Sequence, residues 1–426
     1  MTQLRDDCFA NDGQLMPLAE ALALLDQRLT GVTTPEIVPL DNAYGRITAE
    51  PVRAEHDVPP HDNSAVDGYA VYFDDLESKR PTKLPVTGRV AAGHPLDRPT
   101  RRGEALRMFT GAPMPTGDGD DGPDTVFMQE DCEIHGDMVE LPPGITRGAN
   151  RRRAGEDVKR GTVVFEPGRW LRPEDIGLLA SLGKSALLVN APLRIALFST
   201  GDEVREPGTP LAPGTIYDAN RHTLAALLAG LPCRVADLGI LKDDRVALRS
   251  ALKQAAREND VLITSGGVSV GDEDHVKPVV ETLGDLTLWR LAIKPGRPVA
   301  LGQIKDGDRA VPIIGLPGNP AAVMVTFLRF ARPLILKLAG ASETTPRHYL
   351  VRAGFTQSKK AGRREFVRCR LETGDDAMPV AVKAGRQGAG MLSTVVGADG
   401  LVELAEEMTY VEAGTAVEFL PFNEVR

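Results

Sequence analysis

A run of regularly spaced leucines near the start of the chain gives the first structural signal. Four of the leucines in residues 17–29, at positions 18, 22, 25 and 29, fall on one face at helical spacing, and this pattern predicts an amphipathic helix. From about residue 36 to residue 170 the apolar runs become short and are broken by Pro and Gly. Such short runs between turn residues are typical of small β domains.

From residue 193 onward, strand-like apolar runs alternate with helical patterns. The predicted strands are 194–199, 235–241, 261–264, 286–293 and 311–316. The predicted helices are one capped by Asn220, one capped by Asp243 or Asp244, and those at 275–283 and 320–338. This alternation predicts a doubly wound parallel sheet between layers of helices. After residue 340 the chain returns to short β runs, which predict a small C-terminal β domain.

Each predicted strand of this α/β region is followed by an anion-binding turn, by acidic residues or by the start of a helix. These segments are Thr200-Gly-Asp-Glu203, Lys242-Asp-Asp244, Ser265-Gly-Gly-Val-Ser-Val-Gly-Asp-Glu-Asp274, Lys294-Pro-Gly-Arg-Pro298 and Pro317-Gly-Asn-Pro320. Ligands of doubly wound sheets bind at the carboxyl ends of the strands. The sequence therefore predicts one binding cleft at this edge.

The segment after the third strand carries the strongest signal. An apolar run at 261–263 leads into Ser265-Gly266-Gly267, and three acids follow at 272–274. Paired glycines allow backbone N–H groups to approach an anion closely. Carboxylates beside such a loop suit a divalent cation or a proton transfer. We therefore expect an anion site with a metal beside it.

The Pro317-Gly-Asn-Pro320 segment predicts a helix start, with Asn319 as the N-cap and Pro320 at the first helical position. Its free N–H groups would then point into the cleft and favour phosphate. A plain helix cap is the alternative. Lys294 and Arg297 lie on a turn made rigid by proline, and solvated cations are the alternative there.

Other acids carry alternatives of the same kind. Asp243 alone suits a helix cap, and Glu203 beside Asp202 suits a solvated pair. In the β-rich region, Asp67 lies in a Ser-Ala-Val-Asp-Gly segment, for which a turn closing a hairpin is the alternative. Thr110 is a hydroxyl at the end of a predicted strand.

Composition narrows the function classes. The chain has 426 residues, 42% of them apolar, and no apolar run reaches the roughly 18 residues that a membrane span needs. A net charge of −9 argues against general nucleic-acid binding. Four widely spaced cysteines without a CxxC pair favour a reduced, cytoplasmic protein.

Seven phrases together resemble the MoeA family of molybdopterin molybdenumtransferases, which includes the E domain of gephyrin. The phrases are Asp62-Asn-Ser-Ala-Val-Asp-Gly-Tyr-Ala-Val71, Phe109-Thr-Gly-Ala-Pro-Met-Pro115, Arg153-Ala-Gly-Glu-Asp157, Ser199-Thr-Gly-Asp-Glu203, Ser265–Asp274, Lys294–Pro298 and Gly315-Leu-Pro-Gly-Asn-Pro320. Their order and spacing extend through nearly the whole chain. Arg297 stands where the family often has Lys, and Ala389 stands where it often has Ser.

The resemblance implies an elongated multidomain α/β and β subunit. Its parts would be an N-terminal linker domain (1–58 and 153–190), an inserted β domain (59–152), a molybdopterin-binding α/β domain (191–338) and a C-terminal β domain (339–426). It also implies a homodimer whose active site joins the α/β domain of one subunit to the inserted domain of the other.

The implied reaction is insertion of molybdate into the dithiolene of adenylyl-molybdopterin, with Mg²⁺-dependent release of AMP. By position, the resemblance assigns catalysis to Asp67, Thr110, Glu203, Asp243 and Asp274, with Asp243 and Asp274 as the metal ligands. It assigns substrate binding to Asp157, Ser265, Gly266, Gly267, Lys294, Arg297, Pro317, Gly318, Asn319, Arg363, Arg368 and Ser393. A molybdopterin adenylyltransferase would act upstream, and molybdoenzymes or their chaperones would receive the product.

Two other functions stay open at this level. The α/β domain also resembles adenylyltransferases that act on molybdopterin, although the extra β domains with Asp67 and Thr110 argue against that activity. A non-catalytic, gephyrin-like scaffold is the third possibility, and the retained acidic set argues against it.

Overall fold

The computed structural model describes residues 15–119, 121–242, 244–266 and 275–425. Its strands form four larger sheets, and their order along the chain divides the molecule into an α/β centre with β regions before and after it. No helix in the described part of the chain is both long and apolar enough to cross a bilayer.

The first helix, α1, spans Leu18–Arg28 and buries Leu18, Ala21 and Leu25, as its leucine spacing predicts. The strands of the first half are β1 (Pro35–Pro39), β2 (Ile47–Thr48), β3 (Val52–Arg53), β4 (Asn63–Ser64), β5 (Gly68–Val71), β6 (Thr82–Val90), β7 (Ala105–Met108), β8 (Thr125–Met128), β9 (Glu133–His135), β10 (Met138–Leu141), β11 (Arg151–Arg152), β12 (Val163–Phe165) and β13 (Ala186–Asn190). A second helix, α2, spans Pro173–Ser181.

Strand pairing joins the two ends of this first half. β13 lies between β1 and β2, and β12 pairs with β3, so the chain before residue 58 packs with the chain after residue 153. The excursion between them forms a six-stranded sheet in the order β8-β5-β7-β6-β10-β9. The boundaries at 58/59 and 152/153 stay predictions.

The centre of the molecule is an α/β region. Its elements are β14 (Leu193–Thr200), β15 (Val204–Arg205), β16 (Ile216–Tyr217), α3 (Ala219–Ala229), β17 (Cys233–Leu241), α4 (Arg245–Glu258), β18 (Val261–Ser265), α5 (Val276–Leu283), β19 (Gly284–Arg290), β20 (Ile293–Lys294), β21 (Pro298–Asp306), β22 (Arg309–Leu316), α6 (Pro320–Thr326) and α7 (Arg332–Leu338). A π-helical turn, Phe327–Ala331, joins α6 to α7, so the predicted helix over 320–338 is continuous but not uniform.

The central sheet has the order β17-β14-β18-β22-β21-β19. Its first four strands are mutually parallel, which confirms the predicted doubly wound core. The parallel arrangement does not extend to the other edge, where β19, β21 and β22 form an antiparallel meander. β21 was not predicted, and the predicted strand at 286–293 is divided between β19 and β20.

Both faces of the central sheet are buried. Alternate residues of β14 enter different cores: Ile195 and Leu197 pack on one side, and Ala196 and Phe198 on the other. Successive side chains of a strand point to opposite faces, so a strand covered on both sides is apolar at every position. This explains the uninterrupted apolar runs of the sequence.

The C-terminal region is a small barrel. Its elements are β23 (Tyr349–Ala353), β24 (Gln357–Ser358), β25 (Arg364–Thr373), β26 (Pro379–Lys383), α8 (Leu392–Val396), β27 (Gly400–Leu404), β28 (Tyr410–Val411) and β29 (Ala416–Pro421). The ring β25-β26-β23-β29-β27 closes through pairing of β27 with β25. β20 of the central region adds to β25, which ties the barrel to the edge of the α/β sheet.

Candidate active site

A cleft of about 750 Å³ lies between the carboxyl edge of the central sheet and the C-terminal barrel. It is bordered by the turns that follow β14, β18, β20 and β22 and by loops of the barrel. Eight residues predicted from the sequence line it: Glu203, Gly266, Lys294, Arg297, Pro317, Gly318, Asn319 and Arg363. The fold therefore brings Glu203 and Arg363, which are 160 positions apart in the sequence, to one cleft.

Hydrogen bonds fix the Pro317–Asn319 turn from below. Asn220 Nδ2 donates to the Gly318 carbonyl at 2.7 Å, and the buried Ser265 Oγ donates to the Pro317 carbonyl at 3.1 Å. The Gly266 N–H donates to a backbone carbonyl of β22. Ser265 and Gly266 thus hold the floor of the cleft, and their predicted contact with substrate stays a prediction.

The prediction that Asn220 caps a helix is wrong. The N-cap of α3 is Asp218, whose carboxylate accepts the Arg221 N–H at 3.0 Å. Asn220 lies in the first turn of α3, and its side chain is used to hold the Gly318 carbonyl. Asp and Asn are both good N-caps, so the sequence pattern alone could not choose between positions 218 and 220.

Asn319 is the N-cap of α6, as predicted, but the prediction of free N–H groups there is wrong. The Asn319 carbonyl accepts the N–H groups of Ala322 and Val323, and the Ala321 N–H donates to the Ala389 carbonyl of a barrel loop at 2.9 Å. The Asn319 side chain makes no capping hydrogen bond. The N–H groups of Ala321, Ala322 and Val323 are therefore already bonded within the protein, and Asn319 itself lines the cleft.

Two cations of the cleft share one buried carboxylate. Glu365, which is 2% exposed, accepts from Lys294 Nζ at 3.2 Å through Oε2 and from Arg363 Nη2 at 2.8 Å through Oε1. Arg363 also donates through Nε at 3.1 Å. Arg297 is exposed, and within the described residues its guanidinium makes no hydrogen bond or ion pair. Among the residues that the structure describes, three cationic side chains therefore line the cleft. The sequence analysis did not single out Glu365.

Glu203 enters the cleft on the loop that follows β14. It is exposed, and its carboxylate lies over Gly201, where an added Cβ would come within 2.5 Å of Oε2. Gly201 has a φ of +134°, which an L side chain rarely adopts. The positive φ therefore favours glycine at position 201, and a side chain there would also displace the Glu203 carboxylate from its present position.

Arg221, which the sequence analysis did not single out, ties down the far part of the same loop. Its buried guanidinium pairs with Asp218 at 3.0 Å and with Asp237 and Glu206. Burial opposes the charge, but the hydrogen bonds with Asp237 and Asp218 outweigh it and raise the pKa of Arg221. The sequence gives little indication that Arg221 is buried, because an arginine in a helix usually lies in solvent.

Asp67 and Thr110 form a pair in the inserted sheet. The Thr110 N–H and its Oγ1 both donate to Asp67 Oδ1 at 2.8 Å. These bonds, and secondarily the charge of Arg107, lower the pKa of Asp67. Neither residue lines the cleft of its own chain. Asp157 is exposed and is likewise outside the cleft.

Arg368 lies beneath the cleft-lining Gln387. The Arg368 N–H and carbonyl bond with the Gln387 side chain, and Arg368 Nη2 donates to the Gly388 carbonyl at 3.1 Å. Arg368 is 1% exposed, and burial lowers its pKa. Its Nε and Nη1 have no hydrogen-bond partner among the described residues. Ser393 is exposed on α8 and does not line the cleft.

Three predicted residues, Asp243, Gly267 and Asp274, lie outside the described residues. Within the described part, the cleft offers one carboxylate without an ion pair, Glu203, because Glu365 is held by two cations. Mg²⁺ prefers near-octahedral oxygen coordination. The two residues predicted to bind Mg²⁺, Asp243 and Asp274, are both outside the described residues.

Comparison with known proteins assigns the chain to a family. Three family models match in order: "MoeA N-terminal region (domain I and II)" at residues 16–183, "Probable molybdopterin binding domain" at 196–337 and "MoeA C-terminal region (domain IV)" at 351–422. A molybdopterin molybdenumtransferase of Haemophilus influenzae is 38% identical over 96% of this chain and 100% of its own length. The chain belongs to the MoeA family.

Other MoeA relatives agree. A molybdopterin molybdenumtransferase of a Nostoc species is 33% identical over 90% of this chain and 87% of its own length. The crystal structure of a molybdopterin biosynthesis MoeA protein from Pyrococcus horikoshii superposes with a TM-score of 0.79 at 28% identity, covering 96% of this chain and 100% of that one. The predicted family and multidomain fold class are therefore confirmed.

Proposed function

We propose that this MoeA-family protein is a molybdopterin molybdenumtransferase, which inserts molybdate into the dithiolene of adenylyl-molybdopterin and releases AMP. The observation that carries the proposal is the full-length identity to relatives named for this transfer. In the reaction, the two dithiolene sulfurs replace oxygens of molybdate, which leave as water. Water also cleaves the phosphoanhydride bond that joins AMP to molybdopterin.

The charges of the cleft suit this chemistry. Lys294, Arg297 and Arg363 line one space, and both molybdate and the pyrophosphate bridge carry negative charge. Fixed cations stabilise charge that develops on oxyanions, most strongly in a site from which water is partly excluded. In this proposal Glu203 orients the attacking water, and the Asn319 amide binds a polar group of the substrate.

A homodimer is part of the proposal. Asp67 and Thr110 form a pair with a lowered Asp67 pKa, yet they lie outside the cleft of their own chain. A second copy would supply them to the cleft, as the family resemblance implies. Asp157 would join the site from the same side.

The proposal includes Mg²⁺ held by Asp243 and Asp274. When bound, Mg²⁺ would neutralise charge on the pyrophosphate bridge. It also includes Ser265, Gly266, Gly267, Pro317 and Gly318 as contacts for phosphate or pterin groups, with Arg368 and Ser393 beside molybdate. A cytoplasmic location fits the buried or half-buried free thiols Cys132, Cys233 and Cys369. A molybdopterin adenylyltransferase would supply the substrate, and molybdoenzymes or their chaperones would take the product.

One assay separates this function from its two alternatives. The purified chain is incubated with adenylyl-molybdopterin, molybdate and Mg²⁺, and AMP is measured; a parallel reaction contains molybdopterin and ATP. Molybdate-dependent AMP release is the expected result. ATP consumption on molybdopterin would instead favour the adenylyltransferase, and the absence of both activities would favour the scaffold.

A further inference from the structure

Glu365 is a buried carboxylate next to the proposed site, and its partners belong to different parts of the molecule. It lies on β25 of the barrel, where the parallel register of β20 and β25 places it opposite Lys294. Arg363 precedes β25, and Gln357 comes from β24. A single carboxylate therefore connects the α/β sheet to the barrel at the edge of the cleft.

All the acceptor positions of this carboxylate are in use. Oε1 accepts two N–H groups of Arg363, at 3.1 and 2.8 Å. Oε2 accepts from Lys294 Nζ and Gln357 Nε2, both at 3.2 Å. A carboxylate offers about four lone-pair sites, so this one is fully satisfied. Charge-assisted bonds of this kind fix the geometry of both partners.

These hydrogen bonds restrict the Lys294 side chain, which would otherwise be free to move in solvent. Its side chain is 53% exposed, whereas the Glu365 side chain is 3% exposed. A free lysine loses about 1.5–2 kcal/mol of rotamer entropy when it is fixed. If Glu365 has already fixed Lys294, an oxyanion that binds it does not bear that cost.

We propose that Glu365 is a positioning residue for oxyanion binding, holding Lys294 and Arg363 toward the cleft. This inference rests on the proposed function, because molybdate is the oxyanion for which we argue. It makes an unusual prediction, since Glu365 is itself negative. The carboxylate repels an anion, so charge alone predicts that neutralising Glu365 would tighten the binding of an anion. Positioning predicts that the same change weakens binding.

The test compares Glu365→Gln with the wild-type protein by calorimetric titration of the full chain with molybdate. We expect Glu365→Gln to raise the Kd for molybdate at least about tenfold, which corresponds to about 1.4 kcal/mol. Equal or tighter binding would overturn the proposal. Glu406→Gln is the matched control, because Glu406 pairs with Arg364 on the same barrel and does not line the cleft. Its Kd should stay within about twofold of the wild-type value, and a comparable rise would also overturn the proposal.

A second variant and a kinetic measurement separate positioning from loss of folding. Glu365→Asp keeps the charge but withdraws the carboxylate by one methylene, so we expect a smaller but measurable rise in Kd; a wild-type Kd would overturn the proposal. A fraction of unfolded protein lowers the number of binding sites and the apparent kcat, and it leaves Kd and KM unchanged. Positioning instead raises KM for molybdate.

The two proposals can fail separately. A wild-type protein that binds molybdate but releases no AMP from adenylyl-molybdopterin would overturn the proposed function. The effect of Glu365→Gln on molybdate binding would still decide the positioning role. A wild-type protein that does not bind molybdate would overturn both.

Discussion

Asp67 illustrates how a neighbouring residue tunes one carboxylate. Two donors from Thr110 stabilise its charged form and lower its pKa. A lowered pKa means that the stabilising bonds are complete above the ordinary value of about 3.9, and they are lost as the pH falls through the lower, folded value. Asp67 is therefore fully ionised throughout the neutral range, which suits a charge-based role rather than a general acid.

The first prediction concerns this pair. Thr110→Val removes the hydroxyl donor and keeps the backbone donor, so the pKa of Asp67 should rise toward its ordinary value without reaching it. A carboxyl NMR titration of the two proteins measures the shift. An unchanged pKa of Asp67 would contradict the assigned cause.

Glu203 and Asp202 offer a matched pair for a second prediction. Both are exposed, but Glu203 lines the cleft and Asp202 does not. We expect Glu203→Gln to lower the rate of AMP release by about 10²-fold or more, because it removes the carboxylate that we propose orients the attacking water. Asp202→Asn should leave that rate near the wild-type value.

The same two variants separate catalysis from stability. Neither carboxylate is buried, so each change should alter the free energy of unfolding by less than about 0.5 kcal/mol. Urea denaturation checks this expectation. Equal loss of AMP release in both variants would remove Glu203 from its proposed role.

At the scale of secondary structure, the loop that follows β14 is held in place by an ion pair with helix α3. Arg221 of α3 is buried, and it pairs with Asp218 at the helix start, with Glu206 in the loop and with Asp237 in β17. Asp218 is also buried, so water could not solvate its carboxylate if the guanidinium were removed. The loop that carries Glu203 is thus fixed by an ion network at its far end.

The third prediction tests this network. Arg221→Met leaves Asp218 buried without a counter-ion, and breaking such a pair should cost about 3 kcal/mol of unfolding free energy. Arg249→Met, at an exposed position on α4, is the control and should change it by less than about 0.5 kcal/mol. A loss below about 1 kcal/mol in the first variant, measured by urea denaturation, would contradict the structural role of Arg221.

The long C-terminal helix of the α/β region and the strands beside it show the limits of local patterns. Apolar residues predict a helix over 320–338, but they do not reveal the π turn at Phe327–Ala331. β21 was missed because its apolar run, 298–304, contains two glycine or proline positions that read as a turn. Its strand conformation comes from pairing with β19 and β22 on both sides.

At the scale of the whole molecule, a buried charge cluster joins the α/β region to the barrel. Glu403 of β27 pairs with Arg329 of the π turn at 2.8 Å, with His348 at 2.9 Å and with Arg364 of β25 at 3.1 Å. Burial alone would raise the pKa of Glu403, but its bond with His348 and the charges of Arg329 and Arg364 outweigh burial and lower it. This cluster and Glu365 both join the barrel to the α/β region, through different residues.

The fourth prediction follows from the lowered pKa of Glu403. Its stabilising contribution is present above the unfolded pKa of about 4.3 and disappears as the pH falls through the lower, folded pKa. Glu403→Gln should therefore lower the unfolding free energy at pH 7 by about 3 kcal/mol. It should also make stability less sensitive to acid than in the wild-type protein. Urea denaturation at pH 7 and at progressively lower pH measures both effects.

Glu407→Gln, an exposed neighbour on the barrel, serves as the control for Glu403. It should retain both the wild-type stability at neutral pH and the wild-type sensitivity to acid. If Glu403→Gln behaved in the same way as this control, the cluster would not stabilise the junction.

The sequence alone was sufficient for most of the helices and strands and for eight of the sixteen described residues that line the cleft. Periodicity, capping residues and Gly/Pro turns act over a few positions, so they specified α1, the parallel core and the loops that carry Glu203, Lys294 and Asn319. Side-chain partners between distant strands depend on register and on packing of the complete chain. Only the tertiary structure therefore decided that β20 joins the barrel, that Ala389 takes a donor of α6, and that Glu365 lies between Lys294 and Arg363.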